Sequence, residues 1–296
     1  MTPAAEPRDI PFPRVFFWTV RRELWENRSI YLAPLSVAAL FLVGFVITLP
    51  ALPARMRALS ILDAARQQRG IVAHYDLAAA LIMGAATIVA IFYCLDALHG
   101  ERRDRSILFW KSLPVSDLTV VLAKASIPIV VLQLVSFAVV VATQLVMLLS
   151  STAVLRASGV SADPLWAHMS IFRTWSLLLY HLISVHALWY APIYAWLLFV
   201  SAWSRRAALL WAILPPFAIC GLEKIVFNTT RIASRLGQRL TGGMEAVNMP
   251  GTFPMSPMNY ATPGRFLTSP GLWIGLAVAA ALLAATVQIR RFRGPL

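Results

Sequence analysis

Chemistry in this sequence concentrates in one short polar run. Glu101, Arg102, Arg103, Asp104 and Arg105 stand in succession, followed by Ile107, Leu108, Phe109, Trp110 and Leu113, then Pro114 and Ser116. The stretch reads as a short helix with exposed charges and a bulky apolar face, and Ser116 reads as an N-cap for the helix that follows. Aromatic anchors ringed by charge suit a groove on a partner. They equally suit an interfacial helix that buries Phe109 and Trp110 among lipid headgroups. Residue types alone leave both readings open.

Elsewhere the polar residues are sparse. Glu223 and Lys224 end an apolar run just beyond Pro215 and Pro216. Charge inside lipid is expensive, so the pair either lines a polar pathway, or Lys224 reaches the interface while Glu223 finds a neighbour. The two prolines interrupt helical hydrogen bonding and predict a kink. His181 and His186 are five residues apart. That spacing sets them well apart around an α-helix, unlike the i, i+4 pair of a zinc site, and no metal site is expected. Trp189, Trp196 and Trp203 recur every seven residues, as packing or lipid-facing side chains would. Arg231, Arg235 and Arg239 run beside Ile232, Leu236 and Leu240, two stripes that predict a short amphipathic helix on the outer membrane surface. Asp63 and Asp76 fall in the first loop, too isolated for catalysis, and Cys94 and Cys220 lie in apolar runs as small buried residues. No GxxxxGK[ST], GxSxG or HExxH pattern occurs, so no catalytic, cofactor or metal site is expected, and any energy from nucleotide hydrolysis would have to arrive from a separate polypeptide.

These residues are positioned by elements that composition places in a membrane. Of 296 residues, 59% are hydrophobic and 13% charged, with mean hydropathy +0.70. A soluble domain carries about 25% charged residues; too few remain here to cover a water-facing surface. Six apolar runs reach the length of a spanning helix, at about 29–49, 77–98, 119–149, 174–202, 207–227 and 271–289. The expected architecture is an all-α integral membrane protein in one transmembrane domain, with a cytoplasmic loop at 99–118 and an external loop at 228–270. Ahead of the first span, residues 12–28 alternate Phe16, Phe17, Val20 and Leu24 with Arg14, Arg21, Glu23 and Arg28, which predicts an amphipathic helix along the membrane surface. Glu6, Arg8, Asp9 and Arg14 interrupt any early apolar core, so the first span is expected to act as its own insertion signal. Lys and Arg total 26 against 13 Asp and Glu. This excess clusters beside the apolar runs, where headgroups and topology call for it rather than nucleic acid. A modest excess of basic residues favours both termini in the cytoplasm.

The run Glu101-Arg-Arg-Asp-Arg-Ser-Ile-Leu-Phe-Trp-Lys-Ser-Leu-Pro-Val-Ser-Asp, with Lys124 after it, resembles the corresponding loop of ABC-2 type transporter permeases. Those proteins carry a charged Glu-Arg start, a short helix, a Leu-Pro segment, then Ser and a Lys entering the third span. In that family the loop is a coupling helix that rests in a cleft of a separate ATPase subunit. Six spans, an amphipathic N-terminal helix and a helical excursion between spans five and six are similar too. The resemblance implies that Glu101, Arg102, Arg103, Asp104, Arg105, Phe109 and Trp110 contact the ATPase, the charges orienting it and the aromatics filling its cleft. It implies ATP and Mg bound on that partner, and a homodimer or a heterodimer with a related permease. It also implies a bacterial cytoplasmic (inner) membrane location. No substrate-determining motif matches, so cargo does not carry over.

The expected function is the membrane-spanning permease subunit of an ATP-driven exporter, with no enzymatic activity of its own. The alternatives are a polytopic membrane enzyme acting on lipid phosphates, with Arg231, Arg235 and Arg239 holding phosphate, and a non-transporting membrane scaffold or sensor.

Overall fold

The computed structural model describes residues 11–108, 115–168, 171–240 and 266–292. Among them every regular element is helical and no strand occurs. Helix α1 (Phe12–Glu26) precedes α2 (Ser29–Thr48), which continues through a 3-10 turn into α3 (Leu52–Leu59). The long α4 (Ala64–Asp96) is followed by the short α5 (His99–Arg103). Helix α6 (Asp117–Ser126) passes through a π-helical stretch, Ile127–Val131, into α7 (Leu132–Ala157). After α8 (Asp163–His168), α9 (Ile171–His181) enters a second π-helical stretch, Leu182–Trp189, and then α10 (Ala191–Trp203). Helices α11 (Ala208–Phe227), α12 (Arg231–Leu240) and α13 (Pro270–Phe292) complete the order.

Five stretches are long and apolar enough to cross a membrane: Ser29–Leu59, Arg66–Arg103, Asp117–Ala157, Ala208–Phe227 and Pro270–Phe292. Phe172–Trp189 and Ala191–Trp203 pass the same test only together and are bent by 44°, a sixth crossing if the two halves form one span. The span expected over 174–202 is thus made of two helical pieces. The break falls at Pro192, in the first turn of α10, which has no N–H to donate to the preceding turn. Tyr190 N instead donates to Val185 O at 3.0 Å, five residues back. A correction follows. A π-helical turn is wider than an α-turn, so residues five apart come onto one side, and the His181 and His186 rings lie 5.4 Å apart, edge to face. Asp76 is also placed inside α4 rather than in a loop.

The helices pack on a buried middle layer. One core, near the α1 end, gathers Ile30 of α2, Tyr93 and Cys94 of α4, Leu132 of α7, Tyr194 and Leu198 of α10 and Ala212 of α11. A second, at the opposite end, gathers Met56, Ile71, Tyr75, Met147, Leu148 and Leu155. Helices α10 and α13 approach closely through Ala191, Ala195 and Ala279, the small-residue packing that serves where lipid competes for apolar surface. Trp196 Nε1 donates to Ala212 O at 3.0 Å, and Trp203 meets Trp211 edge to face at 4.9 Å, so these two tryptophans seat α11 on α10. Outside that seam α11 exposes Leu210, Leu214, Phe217 and Ile225, and it runs unbroken through Pro215 and Pro216.

Candidate functional site

At the end of the bundle where the polar run begins, five charged side chains from four helices meet. Helix α6 starts there because Ser116 accepts the backbone N–H of Thr119 at 3.1 Å, with Asp117 in the first turn, a cap and an acid where the helix dipole favours both. Inside α6, Lys124 is 2% exposed. Its ammonium pairs with Glu23 Oε1 of α1 at 2.7 Å and with Glu101 Oε1 of α5 at 3.0 Å. The other Glu101 oxygen pairs with Arg290 of α13. Arg290 Nε then reaches Asp117 Oδ1 at 3.0 Å, and the Tyr93 hydroxyl of α4 donates to Glu23 Oε2 at 2.8 Å. Every charge in the set faces an opposite one. That is the condition under which buried ions persist, since taking any of them out of water unpaired costs several kcal/mol.

The base of the polar run is also stitched to α10. Arg102 Nη1 donates to the carbonyls of Ala202 at 2.7 Å and Ser204 at 3.2 Å, placing a cation at a helix C-terminus, where orphan carbonyls and the dipole both favour it. Ser201 Oγ accepts the backbone N–H of Leu98 at 3.1 Å and of His99 at 2.9 Å. Glu101 and Arg102 are thus buried, with their charged ends turned into the bundle. Arg103, Asp104 and Arg105 face outward; Arg103 pairs with Asp104 at 3.1 Å and Asp96 at 3.7 Å. Arg105 has φ 58°, the left-handed turn that ends α5 and redirects the chain. Beyond it Ile107 is buried and Leu108 exposed. Phe109 and Trp110 lie outside the described residues. One carboxylate, Glu101, ties α5 to α6 and α13 together.

The other candidate residues sit at the opposite end. Glu223 is a cap for α12: its Oε1 accepts Thr229 Oγ1 and Arg231 N, and its Oε2 accepts Ile232 N, each at 2.8 Å. Lys224 is exposed. The far end of α12 is held by Arg239, whose guanidinium lies 4.1 Å from the Trp189 ring centroid and donates to Gly271 O at 3.0 Å. Burial there lowers its basicity. A side chain at Gly275 would collide with that guanidinium. Glu223→Ala is expected to speed hydrogen exchange at residues 231–240 while the unfolding midpoint of the bundle stays put; unchanged exchange would deny Glu223 the capping role.

In the sequence Glu23 and Arg290 read as interfacial and terminal charges, with nothing beside them to mark either as a partner of the loop. One signal was available: Lys124 falls inside an apolar run, and an ammonium there calls for a carboxylate. Among the described residues no group of three or more His, Cys, Asp and Glu side chains is placed to hold a metal ion. Comparison with family models, with curated proteins and with solved structures finds no match.

Proposed function

We propose that the chain is the membrane-spanning permease subunit of an ATP-driven exporter, driven by separate ATPase subunits that engage the loop at 99–118. The observation that carries this reading is Glu101 paired at once with Lys124 and Arg290. A loop that only floated at the interface would have no use for a buried ionic tie to the start of one apolar helix and the end of another. On this reading Glu101 and Arg102 anchor the loop, while Arg103, Asp104, Arg105, Leu108, Phe109 and Trp110 meet the ATPase. The likeness of the 101–117 run to ABC-2 permeases supplies the partner class. Six spans, both termini in the cytoplasm, an inner-membrane location and dimerisation belong to the same proposal, with ATP and Mg on the partner. Glu223, Arg239 and Trp189 then hold α12 over the outer ends of the spans.

The test is purification of the tagged chain in mild detergent from its own host. Recovery of a nucleotide-binding subunit, encoded beside it, whose ATP hydrolysis changes with this chain supports the reading. A pure chain that turns over phospholipid unaided contradicts it and favours the membrane-enzyme alternative.

A further inference from the structure

We infer that the outward face of α1 is a binding surface for anionic phospholipid headgroups. Arg14, Trp18, Arg21 and Trp25 follow one another at i, i+4, i+7 and i+11, a spacing that lines them up along one side of a helix. Arg28 continues the series just past the helix end, and all five are exposed. The Arg21 guanidinium lies 5.0 Å from the Trp18 ring centroid and 4.7 Å from that of Trp25. Phe17, 59% exposed, flanks the stripe. The opposite face of the same helix is a protein-packing face, with Thr19 and Glu23 buried and Val20 and Leu24 against the core. Helix α1 thus has two working faces, and its aromatics lie mostly on the one that leaves the protein.

The chemistry of the occupant follows from charge. Among the described residues the ion pairs of α1 are Arg22 with Glu26 and Glu23 with Lys124, which leaves the charges of Arg14, Arg21 and Arg28 unspent. Indole rings settle at headgroup depth, and arginines beside them take up phosphate. A zwitterionic headgroup offers a phosphate but brings its own ammonium, so the net charge of the stripe stays; an anionic headgroup offsets it. Position argues the same way: only Asn27 and Arg28 separate α1 from α2, the start of the first apolar stretch, so the stripe is tethered at the membrane interface. The inference rests on the membrane-spanning reading and not on transport. It gives α1 a role as a lever between lipid and protein. The outer face feels the charge of the leaflet, and Glu23 on the inner face passes any shift of α1 to Lys124.

The full-length chain carrying Phe17→Cys, with Cys94→Ala and Cys220→Ser, is labelled with a nitroxide and reconstituted in vesicles. Collisions with oxygen and with a water-soluble nickel chelate report the depth of the label. In phosphatidylglycerol-containing vesicles the label is expected at headgroup depth; in phosphatidylcholine alone, or at high salt, it shifts toward water. Each arginine changed to glutamine lowers surface affinity about fivefold, so R14Q/R21Q/R28Q abolishes the difference between the two lipids, and the Lys triple variant retains it. Equal depth in both lipids overturns the inference. So does a label that stays in water until an ATPase subunit is added, which would assign the face to protein. Neither outcome bears on whether the chain transports.

Discussion

Lys124→Met is expected to destabilise the folded protein by about 3–5 kcal/mol, the cost of removing one partner from a buried ion pair. The methionine fills the stem of the lysine but leaves Glu23 and Glu101 without the cation that both contact at 3.0 Å or less. Glu101 keeps Arg290, whereas Glu23 keeps only the Tyr93 hydroxyl. The second substitution Glu23→Gln removes the stranded charge, so the double variant is expected to recover a large part of the loss. Unfolding in a denaturing-detergent titration reads both. A loss below about 1 kcal/mol, the range of exposed pairs, would mean that the network is solvated and carries no tension between helices.

Trp110→Asp is expected to abolish transport while the chain inserts and folds normally. The substitution places a charge where the proposed docking helix presents an aromatic anchor, and one such residue at the centre of an interface commonly costs 2–4 kcal/mol of binding, a factor of about 30 to 1,000. Trp110 is not one of the five charged residues of the ionic network, and the variant's stability is expected to match the parent. Two readouts separate the outcomes: thermal unfolding of the variant, and ATP hydrolysis by the co-reconstituted ATPase, which should fall to the rate of the subunit alone. Parent-level transport by a correctly folded Trp110→Asp protein removes the loop from the mechanism.

What could be read ahead of the structure divides by range. Helices α11 and α13 begin and end within a few residues of the apolar runs at 207–227 and 271–289, because their hydrophobic and helical limits coincide. Helix α4 starts at Ala64 instead of near 77. Hydropathy marks where a helix meets lipid, and Arg66, Gln67 and Arg69 extend the same helix beyond it. Ser116 was legible as a cap because an N-cap is a local device. The two histidines were misplaced because periodicity assumed 3.6 residues per turn, whereas the helix widens to π-turns in the stretch ahead of Pro192.

The site was legible in its parts and not in its assembly. Glu101 and Arg102 stood out as charge, yet their burial follows from Arg290 and from the carbonyls of Ala202 and Ser204, far away in the chain. Glu23 looked like one polar position of an interfacial helix. That it points inward depends on Lys124 and Tyr93, and no pattern within residues 12–28 encodes either partner.

If the loop after α5 meets an ATPase, as proposed, Leu108 is the described residue best placed to report on it. Its side chain is 55% exposed, next to the buried Ile107 and beyond the anchored Glu101 and Arg102. A photo-crosslinking amino acid at position 108, irradiated in intact cells, should capture a nucleotide-binding subunit. The same group at Phe172, exposed on the opposite end of the bundle, should not. Capture of lipid alone at position 108, with no ATPase at any stage of the cycle, would contradict the account.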